Sequence, residues 1–132
     1  MTPPLPRPPA VTRPEDGGGA AFAVPPVMRK RADFLAAARA RRQGTAGFLL
    51  QARDRGDNQP ARVGFTCSKK IGNAVARNRA KRRLRAVARQ VLPGVARPGW
   101  DYVLVGRPEA TIARAFADLT RDLEQALRRV HK

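Results

Sequence analysis

Acidic side chains are scarce in this chain: 10 Asp and Glu stand against 27 Lys and Arg, giving a formal net charge of +17 over 132 residues. A nuclease working through two metal ions needs converging carboxylates, and the acids here are scattered. Asp118 and Asp122 share a face of a late helix near Glu124, but Arg114, Arg121 and Arg128 lie beside them, so surface ion pairs account for the pattern. The single cysteine, Cys67, excludes an internal disulfide, and with the single histidine, His131, it leaves too few ligands for zinc. That histidine, next to the last residue, also excludes metal-free histidine nuclease chemistry. A reduced, cytoplasmic setting is the default for such cysteine usage. No apolar run is long enough for a spanning helix, and no basic helix is rich in Trp and Leu, so a membrane partner is not expected. A P-loop is missing as well: Lys69-Lys70-Ile71-Gly72 has one glycine and no Gly-Lys-Ser/Thr. The expectation is no catalytic residue and no metal ligand in the polypeptide.

What the chain has instead is positive charge in one block. Nine Lys or Arg (Lys69, Lys70, Arg77, Arg79, Lys81, Arg82, Arg83, Arg85, Arg89) occur between Lys69 and Arg89 with no acid among them. The acid-free window extends from Asn58 to Trp100. Uncompensated like charges repel and cost stability unless a polyanion supplies the opposite sign. With a sequence pI of about 11.8, the block reads as a nucleic-acid contact surface.

Residues 1–26 hold eight of the 12 prolines and the triplet Gly17-Gly18-Gly19, a composition expected for a disordered, Pro/Gly-rich extension before one domain at 27–132. It lacks the apolar core of a secretory signal, and its prolines forbid the amphipathic helix of a transit peptide. It is expected to be dispensable; a proline-rich docking motif is the alternative. From Asp33, a candidate cap, Phe34, Ala37, Ala38 and Arg41 fall on one face of a short helix ending near Gly44. Phe34 reads either as a core anchor or as one wall of a groove flanked by Arg31 and Arg39. Gly47–Arg53 alternates as a half-buried strand with Phe48, Leu50 and Ala52 on one side. A polar turn at 55–60 leads to a second strand, Ala61–Cys67, and the short connection predicts an antiparallel hairpin. Cys67 lies in the apolar register with Val63 and Phe65, which makes it a small core residue rather than a nucleophile.

Gly72-Asn73 breaks the strand exit and caps a helix that Pro93-Gly94 ends. Ala76, Ala80, Leu84, Val87, Ala88 and Val91 form its apolar stripe. Arg79, Lys81, Arg82, Arg85 and Arg89 point away, and Arg83 sits at the margin. Arg77 falls inside the apolar sector, so either the first turn is irregular or a specific partner holds it. Trp100–Val105 is a nearly continuous apolar strand expected to be covered on both faces, reached by a helical crossover onto the same sheet. Ile112, Phe116, Leu119, Leu123, Leu127 and Val130 then mark one amphipathic helix over Thr111–Val130 that should pack on the sheet. A strand, not a helix, precedes the basic helix, against helix-turn-helix logic; Val63-Gly64-Phe65 is only a faint echo of an RRM motif. From residues alone, this is a basic α/β domain that binds a folded RNA through a helix, in a ribosomal or other ribonucleoprotein setting.

The run from Val63 to Arg82, with Arg77-Asn78-Arg79 at its centre, resembles the signature of the bacterial ribonuclease P protein component, and the similarity extends over about residues 28–130. The resemblance implies an α/β (α+β) sandwich, with a mostly antiparallel central sheet, element order α-β-β-β-α-β-α and a left-handed β-α-β crossover against the usual rule. Only three strands are readable from the residues; the fourth is carried over. The implied role is that of an auxiliary subunit of an RNA-based endonuclease that removes the 5′ leader of precursor tRNA. Catalysis and magnesium would belong mainly to the RNA, with one protein monomer on each. Lys69, Lys70, Arg77, Asn78, Arg79, Lys81, Arg82 and Arg85 would contact the catalytic RNA. The leader would lie between the first helix and the sheet, near Phe34, Arg31 and Arg39. Some members carry additional aromatics where this chain has Ala38 and Gln51, which leaves fewer stacking platforms for single-stranded RNA. The alternative is a structural, ribosomal-type RNA-binding protein with no role in cleavage.

Overall fold

The structure, a computed structural model, describes residues 25–131. The extension expected over 1–26 therefore lies outside the described residues apart from Pro25 and Pro26. The elements are α1 (Arg31–Ala38), β1 (Arg41–Gly44), β2 (Phe48–Asp54), β3 (Arg62–Thr66), a 3₁₀ turn (Lys69–Ile71), α2 (Ala74–Val91), β4 (Trp100–Gly106), α3 (Ala110–Ala113) and α4 (Phe116–Val130). Four strands form one sheet in the order β1-β2-β4-β3. The β1–β2 and β2–β4 pairs are antiparallel, and β3–β4 is parallel.

The alternation in β2 sorts the two faces. Phe48, Leu50 and Ala52 join Val63, Tyr102 and Leu104 beneath α2 and α4, packed against Leu84, Val87, Leu119 and Leu123. Residues such as Leu84 and Leu104 are fully buried, each contributing about 1.5–3 kcal/mol of apolar transfer. The opposite face carries α1, where Met28, Ala37 and Val103 are buried with Phe34 and Val105 against them. β4 is thus covered on both sides, as its apolar run predicts. The outer edge of β3 is partly closed by the incoming chain: Val63 N–H donates to Pro26 O (2.9 Å) and Met28 N–H to Val63 O (2.7 Å).

Four local expectations are corrected. The predicted hairpin does not form, because β4 inserts between β2 and β3; the most apolar strand takes the central position, where both faces are shielded. The first helix stops at Ala38 rather than near Gly44. Arg41–Gly44 instead pairs with Leu49–Ala52 as the fourth strand. Arg41 is drawn there by long-range contacts, donating to Val130 O and lying 5.5 Å from the Trp100 ring. Asp33 makes no cap hydrogen bond; Lys30 holds the cap position, and Asp33 bonds Arg62 instead. The last helix is two helices, broken at Arg114–Ala115, so Ile112 and Phe116 leave the buried stripe. Two acids of α4 are paired, but Arg114 reaches the buried Asp122 (2.7 Å) rather than Asp118, which Arg121 holds.

Candidate nucleic-acid interface

The basic helix begins where its sequence predicts: the Asn73 side chain accepts from Ala76 N–H at 2.9 Å, satisfying one of the free amides of the first turn. Just before it, Ser68 accepts from Lys70 N–H at the head of the 3₁₀ turn, and Gly72, at φ 142°, lets the chain reverse into the helix. Ala80, Leu84, Val87, Ala88 and Val91 are buried, as the stripe predicts, with Ala76 half-buried. Asn78, Arg79, Arg82 and Arg85 are exposed, as are Lys69 and Lys70 in the turn; Arg77 and Lys81 are half-exposed at the helix flank. The first turn of α2 is regular, so irregularity does not explain Arg77. Arg85 lies 5.6 Å over the Phe65 ring, a cation–π contact that orients the guanidinium while leaving it accessible.

Among the described residues, the ion pairs use Arg53, Arg55, Arg62, Arg114 and Arg121. None involves Lys69, Lys70, Arg77, Arg79, Lys81, Arg82 or Arg85. Asp33, Asp57, Asp101, Asp118 and Asp122 pair elsewhere, and the charge of this face is uncompensated by ion pairs among the described residues. Cys67 packs beside Gly106 at the foot of the helix, and burial pushes its thiol pKa up. That disfavours a thiolate nucleophile and agrees with a core role.

Phe34 packs as its core-anchor reading expects: its ring rests directly on Gly64 and contacts the Met28–Val103 cluster, while it remains half-exposed. Arg31 and Arg39 are exposed near the two ends of α1. Ala38 ends α1, and Gln51 is half-buried on the same sheet face, opposite Val103. Phe48 is fully buried on the opposite face.

A charge network between α1 and the sheet escapes the pattern reading. Asp101, 0% exposed, receives Arg62 through two hydrogen bonds (2.8 Å each) and also Arg55, with Arg53 3.9 Å away. Arg62 and Arg53 also reach Asp33 of α1, at 3.3 and 3.8 Å. Burial raises the Asp101 carboxyl, but the guanidiniums of Arg62 and Arg55 outweigh it and hold the pKa below the ordinary aspartate value. The network ties α1 to the sheet through Asp33. Its sequence signal is an acid opening an otherwise apolar strand, since a buried carboxylate requires partners.

No helix among the described residues is long and apolar enough to cross a membrane. Comparison with known proteins gives a consistent result. The family profile "Ribonuclease P" matches residues 22–131. The ribonuclease P protein component of Ruegeria pomeroyi is 64% identical over 107 residues, covering 80% of this chain and 86% of that protein. That of Caulobacter vibrioides is 52% identical over 101 residues, covering 76% and 67%. The solved ribonuclease P protein of Thermotoga maritima superposes with a TM-score of 0.65 at 27% identity, covering 77% of this chain and 94% of that one. With a profile match across the whole described domain and relatives this similar, the chain belongs to the ribonuclease P protein family.

Proposed function

We propose that this chain is the protein subunit of ribonuclease P, which binds the catalytic RNA through the α2 face and the 5′ leader of precursor tRNA in the groove beneath α1. The observation that carries this reading is the α2 face itself, a row of arginines and lysines with no acidic partner among the described residues. Phosphates would supply the missing charge, with Lys69 and Lys70 extending the contact at the helix entry. Phe34, Arg31 and Arg39 offer a half-exposed ring and two cations to a single strand.

Bond cleavage belongs to the RNA in this reading. Among the described residues no three of His, Cys, Asp and Glu converge into a metal cage. Asp101 and Asp122 are already occupied by arginines, so the donor set does not fit a magnesium ion. We assign magnesium to the RNA and derive no step through it on the protein. One protein per catalytic RNA in the cytoplasm completes the proposal.

Reconstitution tests it. The protein alone should cleave no precursor tRNA; added to its cognate catalytic RNA at limiting magnesium, it should stimulate cleavage at the mature 5′ end. Hydrolysis by RNA-free protein would refute the division of labour. Co-sedimentation with ribosomes and no effect on leader removal would favour a structural role instead.

A further inference from the structure

The apolar stripe of the chain's end contains two residues the core does not use. Phe116 opens α4 and remains 36% exposed, and Ile112 in α3 is half-exposed. They leave the core because the helix breaks at Arg114–Ala115, turning both toward α2. There they line a surface hollow with Arg79, Arg82, Arg83 and Arg89. Among the described residues no acid lines it; the nearest carboxylate along α4, Asp118, is engaged by Arg121 at 2.8 Å.

This hollow is held rigidly. Arg83 reaches across from α2, donating to Thr111 O (2.9 Å) and Arg114 O, which fastens the break to the basic helix. Thr111 is fully buried; its hydroxyl donates to Gly47 O (2.6 Å) and accepts from Arg107 N–H (2.8 Å). One arginine is therefore consumed in building the hollow, and Arg79, Arg82 and Arg89 remain for a ligand. An exposed aromatic on a fixed backbone beside three available guanidiniums has the chemistry of a single-stranded nucleotide site: the ring faces a base while the cations take the flanking phosphates.

We infer that this hollow receives an unpaired nucleotide of the catalytic RNA, with Phe116 stacking on the base, Ile112 flooring the pocket, and Arg82 and Arg89 binding its phosphates. The inference rests on the proposed function and extends the RNA contact from α2 onto the α3–α4 junction. A duplex would need only the arginines. The aromatic selects an unstacked base.

The test uses the whole protein and its cognate catalytic RNA. Phe116→Ala and Phe116→Leu should each weaken binding on the order of tenfold, because Leu keeps apolar bulk but cannot stack. Neither should change the slope of log affinity against log salt, since no phosphate contact is lost. Phe116→Trp should retain affinity, and its added indole fluorescence should be quenched by RNA beyond any change at Trp100, measured in the unaltered protein. Unfolding curves confirm that the variants are folded. Wild-type affinity in Phe116→Ala together with unquenched Phe116→Trp in the RNA-bound state would overturn the site while leaving the subunit role intact. Failure of the unaltered protein to bind the RNA would remove both.

Discussion

The ring of Phe34 occupies the space that any side chain at position 64 would need: a methyl on Gly64 would stand 2.6 Å from Phe34 Cε1 and 2.8 Å from Cζ. Glycine here serves close approach. It lets α1 settle on the sheet with the Phe34 ring against Gly64. Gly64→Ala is expected to lift α1 and cost about 1–3 kcal/mol of stability by overpacking. Affinity for precursor tRNA should fall more than affinity for the catalytic RNA alone. Denaturant unfolding and paired binding measurements check both parts; an unchanged unfolding midpoint would show that α1 adjusts freely.

Arg79 and Arg82 project from α2 with no ion-pair partner among the described residues. Arg79→Ala and Arg82→Ala should each lower the salt slope of catalytic-RNA affinity by about one phosphate contact. Binding titrations across a salt series measure this. A slope equal to that of the unaltered protein would remove that residue from the interface.

Asp101 is the buried anion between Arg62 and Arg55. Asp101→Ala leaves those guanidiniums uncompensated and should destabilise the fold by about 3 kcal/mol or more, read from chemical denaturation. The acid limb follows from the same geometry. The carboxyl's pKa is lowered in the folded state, so its stabilisation is present above the unfolded aspartate value, about 3.9. It is lost as pH falls through the still lower folded value. Asp101→Asn should flatten the stability profile in that range.

His131 closes a short hydrogen-bond chain. Arg97 N–H donates to the Tyr102 hydroxyl (2.9 Å), which shares a second hydrogen bond with His131 Nε2 (2.7 Å) whose direction follows the imidazole tautomer. Burial, then the charges of Arg97 and Arg41, lower the histidine's pKa against a smaller opposing pull from Asp54. The unfolded chain therefore takes up the proton first, and stability should decline as pH falls below about 6.5, levelling off under the folded value. Melting temperatures between pH 7 and 5 should show the slope in the parent and lose it in His131→Gln.

The elements most legible in the sequence are those whose signal is local. The stripe Ala80-Leu84-Val87-Ala88-Val91, the Asn73 cap and the alternation of Phe48, Leu50 and Ala52 all recur in the structure. Each follows from helical or strand periodicity acting over a few residues. The candidate interface was legible for the same reason, since a block of cations without acids is a property of the chain itself. The pairing of β2 with β4 instead of β3 and the end of α1 were not, because neither choice is local. Arg41–Gly44 carries no apolar alternation and becomes a strand only because β2 offers it an edge.

The sequence by itself therefore determined the chemistry: one strongly basic amphipathic helix, an apolar strand requiring cover on both faces, and a lack of converging carboxylates. Only the tertiary structure decided that β4 lies between β2 and β3, that Asp33, Arg53, Arg55, Arg62 and Asp101 meet in one charge network, and that Ile112 and Phe116 face α2 instead of the core. These are pairings between residues distant along the chain. Their free energy comes from burial and ion pairing that exist only after the layers have packed, so no window of neighbouring residues contains them.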